Sequence, residues 1–394
     1  MSRVDLERIW RAGVAACMPA RALAPHLPPP PPGRTIALAL GKAAAGMAEA
    51  LEAAWPGDVS GLAVAPHGTC AKLRRIELAT AAHPVPDAAS VAAAERLLAL
   101  AEGAGPDDLV LVLLSGGASS LACLPGDGLT LGEKQALTEA LLRSGASIHE
   151  INCVRRHLSR IKGGRLGLAA APARLVTLAI SDVVGQSPQD IGSGPTAADP
   201  TTVEDARAIL ERYVIPAPSR GWSESVARLA GDYRVVASIS TAVAEAAWEA
   251  ARLGYRALIL TGIDGEAREV GRAHAERALG EAPRTAIISG GELDVTVRGA
   301  GRGGRNQEYA LAAAMTLAGS AVIGLAADSD GIDGASEAAG AFFDGATLER
   351  TARSAEEALA ANDSGGFFAA TGDLFVSGPT GTNVSDLRIL LTPP

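Results

Sequence analysis

Three times in the first half of the chain an aliphatic run stops at a small polar turn and a helix-like run follows: Thr35 to Leu40 into Gly41-Lys42, Leu109 to Leu114 into Ser115-Gly116-Gly117-Ala118-Ser119-Ser120, and Leu175 to Ile180 into Ser181-Asp182. A strand that is apolar at every position needs cover on both faces, which parallel sheets obtain from their crossover helices. The recurrence predicts successive βα units. Beyond a Pro- and Ser-containing region between about Val214 and Asp232, expected to be helical, the rhythm resumes at Arg234 to Ile239, Ala257 to Leu260, Thr285 to Ile288, Val295 to Val297 and Ala321 to Ala326. The expected fold class is α/β, with two domains (1–232 and 233–394) and a cleft between them; 394 residues suffice for two cores. Ligands of such sheets sit outside the carboxyl ends of the strands, where these turns gather.

A second constraint is the turn Arg298-Gly299-Ala300-Gly301-Arg302-Gly303-Gly304-Arg305-Asn306, placed between an alternating run, Glu292 to Val297, and a helix-like run, Tyr309 to Leu317. Its glycines permit close backbone approach, the helix start offers unpaired N–H groups, and three arginines add charge, a combination suited to phosphate. The net charge of −9 and pI near 5.3 argue against general nucleic-acid or anionic-membrane binding, so any anion site must be a local concentration of cations. Cys17, Cys70, Cys123 and Cys153 are scattered, without the spacing of a zinc site or a disulfide framework. The start of the chain reads as an amphipathic helix, not a signal peptide, and no apolar run has the length of a membrane helix. A cytoplasmic protein is expected.

Individual residues then carry the chemistry. Lys42 sits where a strand yields to a helix, suited to meeting a phosphate, although Ile36 and Ala43 rule out a Walker A loop; a solvated first-turn lysine is the plainer reading. Ser115, Gly116, Gly117 and Ser119 form an anion-binding turn, or else an ordinary helix cap. The run from Asn152 to Arg165 is basic, with Arg155 a candidate substrate clamp and a solvated helix the alternative. Asp182 and Asp330 follow strands, where a carboxylate can share Mg²⁺ with phosphate oxygens. The run Asp328 to Gly334 lacks EF-hand spacing, and a plain Asx-turn is its alternative.

In order along nearly the whole chain, Leu40-Gly41-Lys42-Ala43, His83-Pro84-Val85-Pro86-Asp87, Ser115-Gly116-Gly117-Ala118-Ser119, Val154 to Gly164, Ser181-Asp182 with Ser193-Gly194-Pro195-Thr196, Gly303 to Glu308, Asp330-Gly331-Ile332-Asp333-Gly334 and Gly378 to Val384 are similar to motifs of the glycerate 2-kinases of the MOFRL (DUF4147) type, which sometimes carry the name hydroxypyruvate reductase. The resemblance implies an N-terminal Rossmann-like parallel-sheet domain and a C-terminal α/β MOFRL domain. It implies phosphorylation of D-glycerate at its 2-hydroxyl by ATP with Mg²⁺. It places the catalytic cations at Lys42 and Arg305, converging from different domains on the transferring phosphoryl group, substrate or phosphate contacts at Ser115, Gly116, Gly117, Ser119, Arg155, Gly303, Gly304 and Asn306, and metal at Asp182 and Asp330. Two departures stand out: Val183-Val184-Gly185-Gln186-Ser187 lacks the acidic pair usual after Asp182, and Ser329 replaces a threonine before Asp330.

The partners implied are D-glycerate and a nucleotide, with no nucleic acid and no membrane, and a homodimer is the assembly allowed for. The competing reading is an NAD(P)H-dependent hydroxypyruvate reductase, because Gly299-Ala300-Gly301-Arg302-Gly303-Gly304 formally satisfies GxGxxG. Against it, the nearest strand-end acid, Asp328, lies beyond the usual spacing and arginines crowd the loop. A non-catalytic sensor of a sugar phosphate or hydroxy acid is the third class.

Overall fold

The computed structural model describes residues 2–182 and 187–394, so most of the loop that follows Asp182, residues 183–186, lies outside the described residues. The chain divides into two compact units, Pro19–Val236 and Met1–Met18 joined with Ala237–Pro394.

In the first unit, strands β1 (Thr35–Leu40), β2 (Ser60–Pro66), β3 (Ile76–Ala81), β4 (Leu109–Ser115), β5 (Arg174–Ser181) and β6 (Asp232–Ser238) make a sheet in the order β3-β2-β1-β4-β5-β6 among the described residues. The pairs β1–β2, β2–β3, β1–β4 and β4–β5 are all parallel. Every residue of β1 and β4 is buried, as an uninterrupted apolar run requires of a two-sided sheet. Leu38, Leu40, Val112 and Leu114 pack with Leu97 of the helix Ala88–Glu102 and Leu166 of the helix Arg165–Ala169. Registration sets Leu40 beside both Val64 and Leu114, and Ser115 beside Ile180. The turns beginning at Gly41, Gly116 and Asp182 therefore leave one edge of the sheet.

The other unit departs from the expected rhythm. Strands β7 (Arg256–Leu260), β8 (Thr285–Gly290), β9 (Ile323–Asp328), β10 (Gly340–Asp344), β11 (Leu374–Phe375) and β12 (Asp386–Leu391) are ordered β11-β10-β9-β12-β8-β7 among the described residues. Only β7–β8 is parallel; β8–β12, β12–β9, β9–β10 and β10–β11 are antiparallel. The strand expected at Val295 to Val297 is absent. Asp294 makes an isolated bridge to Glu266, and the hydroxyl of Thr296 bonds the Glu266 carboxylate, so side-chain contacts hold this segment in place of a ladder.

The opening helix (Arg3–Ala16) packs in this unit, although its place in the sequence assigns it to domain 1–232. Leu6, Ile9, Trp10 and Val14 bury against Leu325 of β9, Leu387 and Ile389 of β12, and Ala246 of the helix Ile239–Arg252. Periodicity shows that such a helix has an apolar face but not which sheet covers it. The break between the units likewise follows Val236, inside β6, and not Asp232. Trp10 meets the Phe375 ring edge-on at 5.0 Å and its indole N–H donates to the Ala327 carbonyl at 3.4 Å. Trp10→Ala is expected to cost about 3–5 kcal/mol, read by denaturant unfolding; an unchanged midpoint would contradict this packing.

Candidate active site

At the carboxyl edge of the parallel sheet, Ser115 is buried and engaged within the protein. It is 1% exposed, its hydroxyl accepts from the Ala43 N–H at 3.1 Å and lies 3.4 Å from the Leu40 carbonyl, and the Lys42 N–H donates to the Gly116 carbonyl at 2.8 Å. The expected phosphate contact is instead a clamp joining the β1 turn to the β4 turn. Lys42 itself is exposed.

The next two glycines are required by what crowds them. The Asp182 carboxylate occupies the space a Cβ of Gly116 would need. Gly117 has φ of 81°, and a Cβ there would stand 3.0–3.2 Å from the His83 ring and from Cγ of Lys42. Asp182 thus borders Gly116, while Lys42 and His83 border Gly117. His83 lies in one of the motifs, but its segment carries no sign that the turn after β3 reaches the turn after β4. Desolvation first, and the positive charge of Lys42 second, lower the His83 pKa, which favours the neutral ring.

Ser119 continues the turn, its hydroxyl 2.9 Å from that of Ser193, which bonds Oδ1 of Asn152 at 3.0 Å. The basic segment beyond is not a solvated helix. Arg156 is buried between Asp199 at 2.7 Å and Asp190 at 3.5 Å. Lys162 donates to the carbonyls of Ser119 at 2.7 Å and Ala122 at 3.1 Å, and burial brings it down to about 7. Lys134 donates to the carbonyls of Arg155 and Leu158 and falls to about 8 for the same reason. Arg155, half-buried, has no ion-pair partner among the described residues, and burial lowers its pKa.

In the second unit the glycine-rich turn is filled from within. The helix Arg305–Leu317 follows directly, with Gly304 at its N-cap. The carboxylate of Asp333 accepts from the N–H groups of Asn306 at 3.1 Å and Gln307 at 2.8 Å, and from Nδ2 of Asn306 at 3.2 Å. A protein carboxylate therefore holds the position that the sequence offers to a phosphate, as the helix dipole favours. Asp333 also fills the space beside Gly304, while Gly299 and Gly301 press on the Ala361 carbonyl and Gly303 on Ser364. These glycines serve close packing of the turn on residues 333 and 361–365.

Arg305 lies in an acidic frame. Its Nε is 2.8 Å from Oδ2 and 3.0 Å from Oδ1 of Asp386, its Nη2 is 3.0 Å from Asp328, and its Nη1 pairs with Glu292. Burial alone would lower its pKa; Asp386, Glu292 and Asp328 outweigh that and raise it, so Arg305 stays charged. Burial, then Asp386 and Asp330, raise the pKa of Asp328. Asp330 lies in the Asx-turn weighed from the sequence, its carboxylate accepting from the Ile332 N–H at 2.9 Å. Among the described residues no group of three His, Cys, Asp or Glu side chains is arranged to hold a metal ion. Mg²⁺ commonly takes one or two carboxylates and completes its shell with phosphate oxygens and water.

Two family models match successive parts of the chain. "Domain of unknown function (DUF4147)" matches residues 5–227 and the MOFRL family matches residues 285–386. The chain belongs to the DUF4147–MOFRL family. It is 40% identical to the D-glycerate 2-kinase of Thermotoga maritima, over 97% of this chain and 96% of that one. The crystal structure of a glycerate kinase from Thermotoga maritima superposes with a TM-score of 0.92 at 39% identity, covering 98% of both chains. A relative from Agrobacterium vitis, 46% identical over 99% of this chain and 94% of its own, is named for a hydroxypyruvate reductase activity that the name itself marks as unproven.

Burial first, and Asp386 second, push Asp333 up to about 7, against the opposing bonds from Asn306 and Gln307. An unfolded aspartate titrates near ~3.9. Between these values the folded chain keeps a proton the unfolded chain releases, so this group's contribution to stability falls as pH rises. The stability of Asp333→Asn relative to wild type should therefore improve from pH ~4 to pH ~8, by on the order of 3 kcal/mol. Urea unfolding of both proteins across that range tests it, and a pH-independent difference would contradict the protonation.

Proposed function

We infer that this chain transfers the γ-phosphoryl group of ATP, with Mg²⁺, to the 2-hydroxyl of D-glycerate. The observation that carries the reading is the 40% identity to a D-glycerate 2-kinase over 97% of the chain. The regiochemistry comes from that relative's name. In this reading Lys42 holds a phosphate oxygen, and Gly116, Gly117, Ser119 and Arg155 receive the hydroxy acid. Ser115 fixes the two turns. Arg305 meets charge developing on the transferring group, and Gly303, Gly304 and Asn306 set the turn that presents it. Asp182 and Asp330 supply carboxylates to Mg²⁺, whose chemistry is to neutralise and orient phosphate oxygens. Phosphoryl transfer asks for this kind of positioning and charge stabilisation and little covalent work from the protein. No helix of the described residues is long and apolar enough to cross a membrane; a cytoplasmic, small-molecule enzyme is the matching proposal.

The reductase reading meets a physical difficulty. A dinucleotide fingerprint joins a strand to a helix whose N–H groups face pyrophosphate. Here no strand immediately precedes the glycines, and Asp333 already occupies those N–H groups.

³¹P NMR of the protein with ATP, Mg²⁺ and D-glycerate should show 2-phosphoglycerate; NAD(P)H-dependent hydroxypyruvate reduction without any phosphoester would overturn the reading. Lys42→Ala should lower kcat by about 10²–10³-fold, the effect of removing one preorganised charge donor. For Arg305, Lys is the informative substitution. Ala would strand Asp328 and Asp386, and a buried charge left without its partner costs about 3–5 kcal/mol of stability. Arg305→Lys should remain folded by circular dichroism and lose about 10²-fold or more in kcat, because an ammonium cannot reproduce the planar fork.

A further inference from the structure

The six histidines of the chain divide by what their rings touch. His67 is bound to Thr80 at 3.2 Å and Asp87 at 2.9 Å, and His149 to Asp190 at 2.9 Å. His157 is held between the carbonyls of Cys153 at 2.9 Å and Thr201 at 3.0 Å, and His274 lies 2.9 Å from the Tyr309 hydroxyl. His26 ends a short 3₁₀ turn ahead of the proline-rich segment. His83 is exposed, makes no side-chain hydrogen bond among the described residues, and stands with Nε2 against Gly117, across from Lys42.

The turn carrying His83 is held on both sides. The Ala82 N–H donates to Asp87 at 3.3 Å, Asp87 caps the helix Ala88–Glu102 in a reciprocal box with Ser90, and Gln135 donates to the Pro86 carbonyl at 2.7 Å. An imidazole with no hydrogen-bond partner among the described residues, on an anchored turn beside Lys42, is poised to bond something outside the chain. The charged group facing it is Lys42, across Gly117. The carboxylate of its own turn, Asp87, is engaged by His67, Ala82 and Ser90, and Asp182 lies behind Gly116. A cation at that position disfavours imidazolium, so the ring presents a lone pair.

We propose that His83 is a catalytic residue of the phosphoryl transfer, the general base that accepts the proton of the attacking 2-hydroxyl. The assignment rests on the kinase reading. The hydroxyl oxygen forms its bond to the γ-phosphorus, the bond from that phosphorus to the β,γ-bridging oxygen breaks, and the bridging oxygen leaves with the electron pair as part of ADP. The hydroxyl proton passes to an imidazole nitrogen of His83 and from there to solvent. Lys42, on the other side of Gly117, holds phosphate charge while His83 takes the proton, so the two flank the reacting oxygen.

The test is steady-state kinetics on His83→Gln and His83→Ala with ATP, Mg²⁺ and D-glycerate, the fold of each checked by circular dichroism. Both should lose about 10²-fold or more in kcat, within the usual range for a positioned base, and both KM values should stay within about threefold, since remote binding contacts are intact. Added imidazole should restore part of the kcat of His83→Ala in a concentration-dependent way and leave wild type unchanged. A kcat for His83→Gln within about threefold of wild type would overturn the assignment. So would full activity in His83→Asn together with an imidazole-insensitive His83→Ala, the pattern of a structural hydrogen bond. A wild-type protein that makes no phosphoglycerate would overturn the kinase reading and this assignment with it.

Discussion

A parallel strand cannot begin again beside its neighbour until the chain has crossed back over the sheet. In consequence β1, β2, β3, β4 and β5 release their turns at one edge, and whatever those turns carry is collected there. The site in the first unit follows from this constraint. Lys42, Gly117 and Asp182 stand out in their own segments as strand-end residues, but only the shared edge of the sheet brings them and His83 to the same end. Close approach then demands glycine: at Gly117 a side chain would collide with His83 and Lys42, and at Gly116 with the Asp182 carboxylate. The glycines leave room for the turns after β1, β3 and β5 to approach the turn after β4, and Ser115, buried beside them, joins the β1 and β4 turns.

The second unit solves the opposite problem, that of keeping several buried carboxylates in one place. Asp386 is fully buried on the central strand β12, flanked by β9 and β8. Its partners are Arg305 and Asn306, the first two residues of the helix Arg305–Leu317, while Asp333 takes the N–H groups at the same helix start. Helix dipole, amide donors and one guanidinium share the work of stabilising negative charge, and the raised pKa values of Asp328 and Asp333 show that they do not stabilise all of it.

Much of this was legible in the sequence, and the failures have physical causes. The runs at Thr35, Leu109 and Leu175 announced β1, β4 and β5 because a strand covered on both faces leaves an unbroken apolar signature. Strand β12 is as buried as β1, yet Asp386 and Arg388 interrupt its apolar run, and their hydrogen-bond partners lie 80 to 99 residues away in sequence. The turn at residues 299–304 showed that a backbone needed close approach, but glycine content cannot say whether the visitor is a phosphate or Asp333. The basic run from Asn152 to Arg165 reads as solvated for the same reason: the carboxylates and carbonyls that bury Arg156 and Lys162 belong to other segments.

Arg305 is where structural and chemical demands meet, and its three partners are not equivalent. Asp328 and Asp386 are buried, with side chains 8% and 0% exposed, and fix the plane of the guanidinium through Nη2 and Nε. Glu292, on Nη1, is 58% exposed. A pair so open to water contributes about 0–1 kcal/mol, whereas breaking a buried one leaves an uncompensated charge. An incoming phosphate oxygen would therefore displace Glu292 and leave the other two in place. On the proposed kinase reading, the buried carboxylates would aim the arginine and the exposed one would keep Nη1 paired until phosphate arrives. On this account the acidic frame is compatible with anion binding, because it sets the orientation of the cation while leaving the solvent edge of the fork exchangeable.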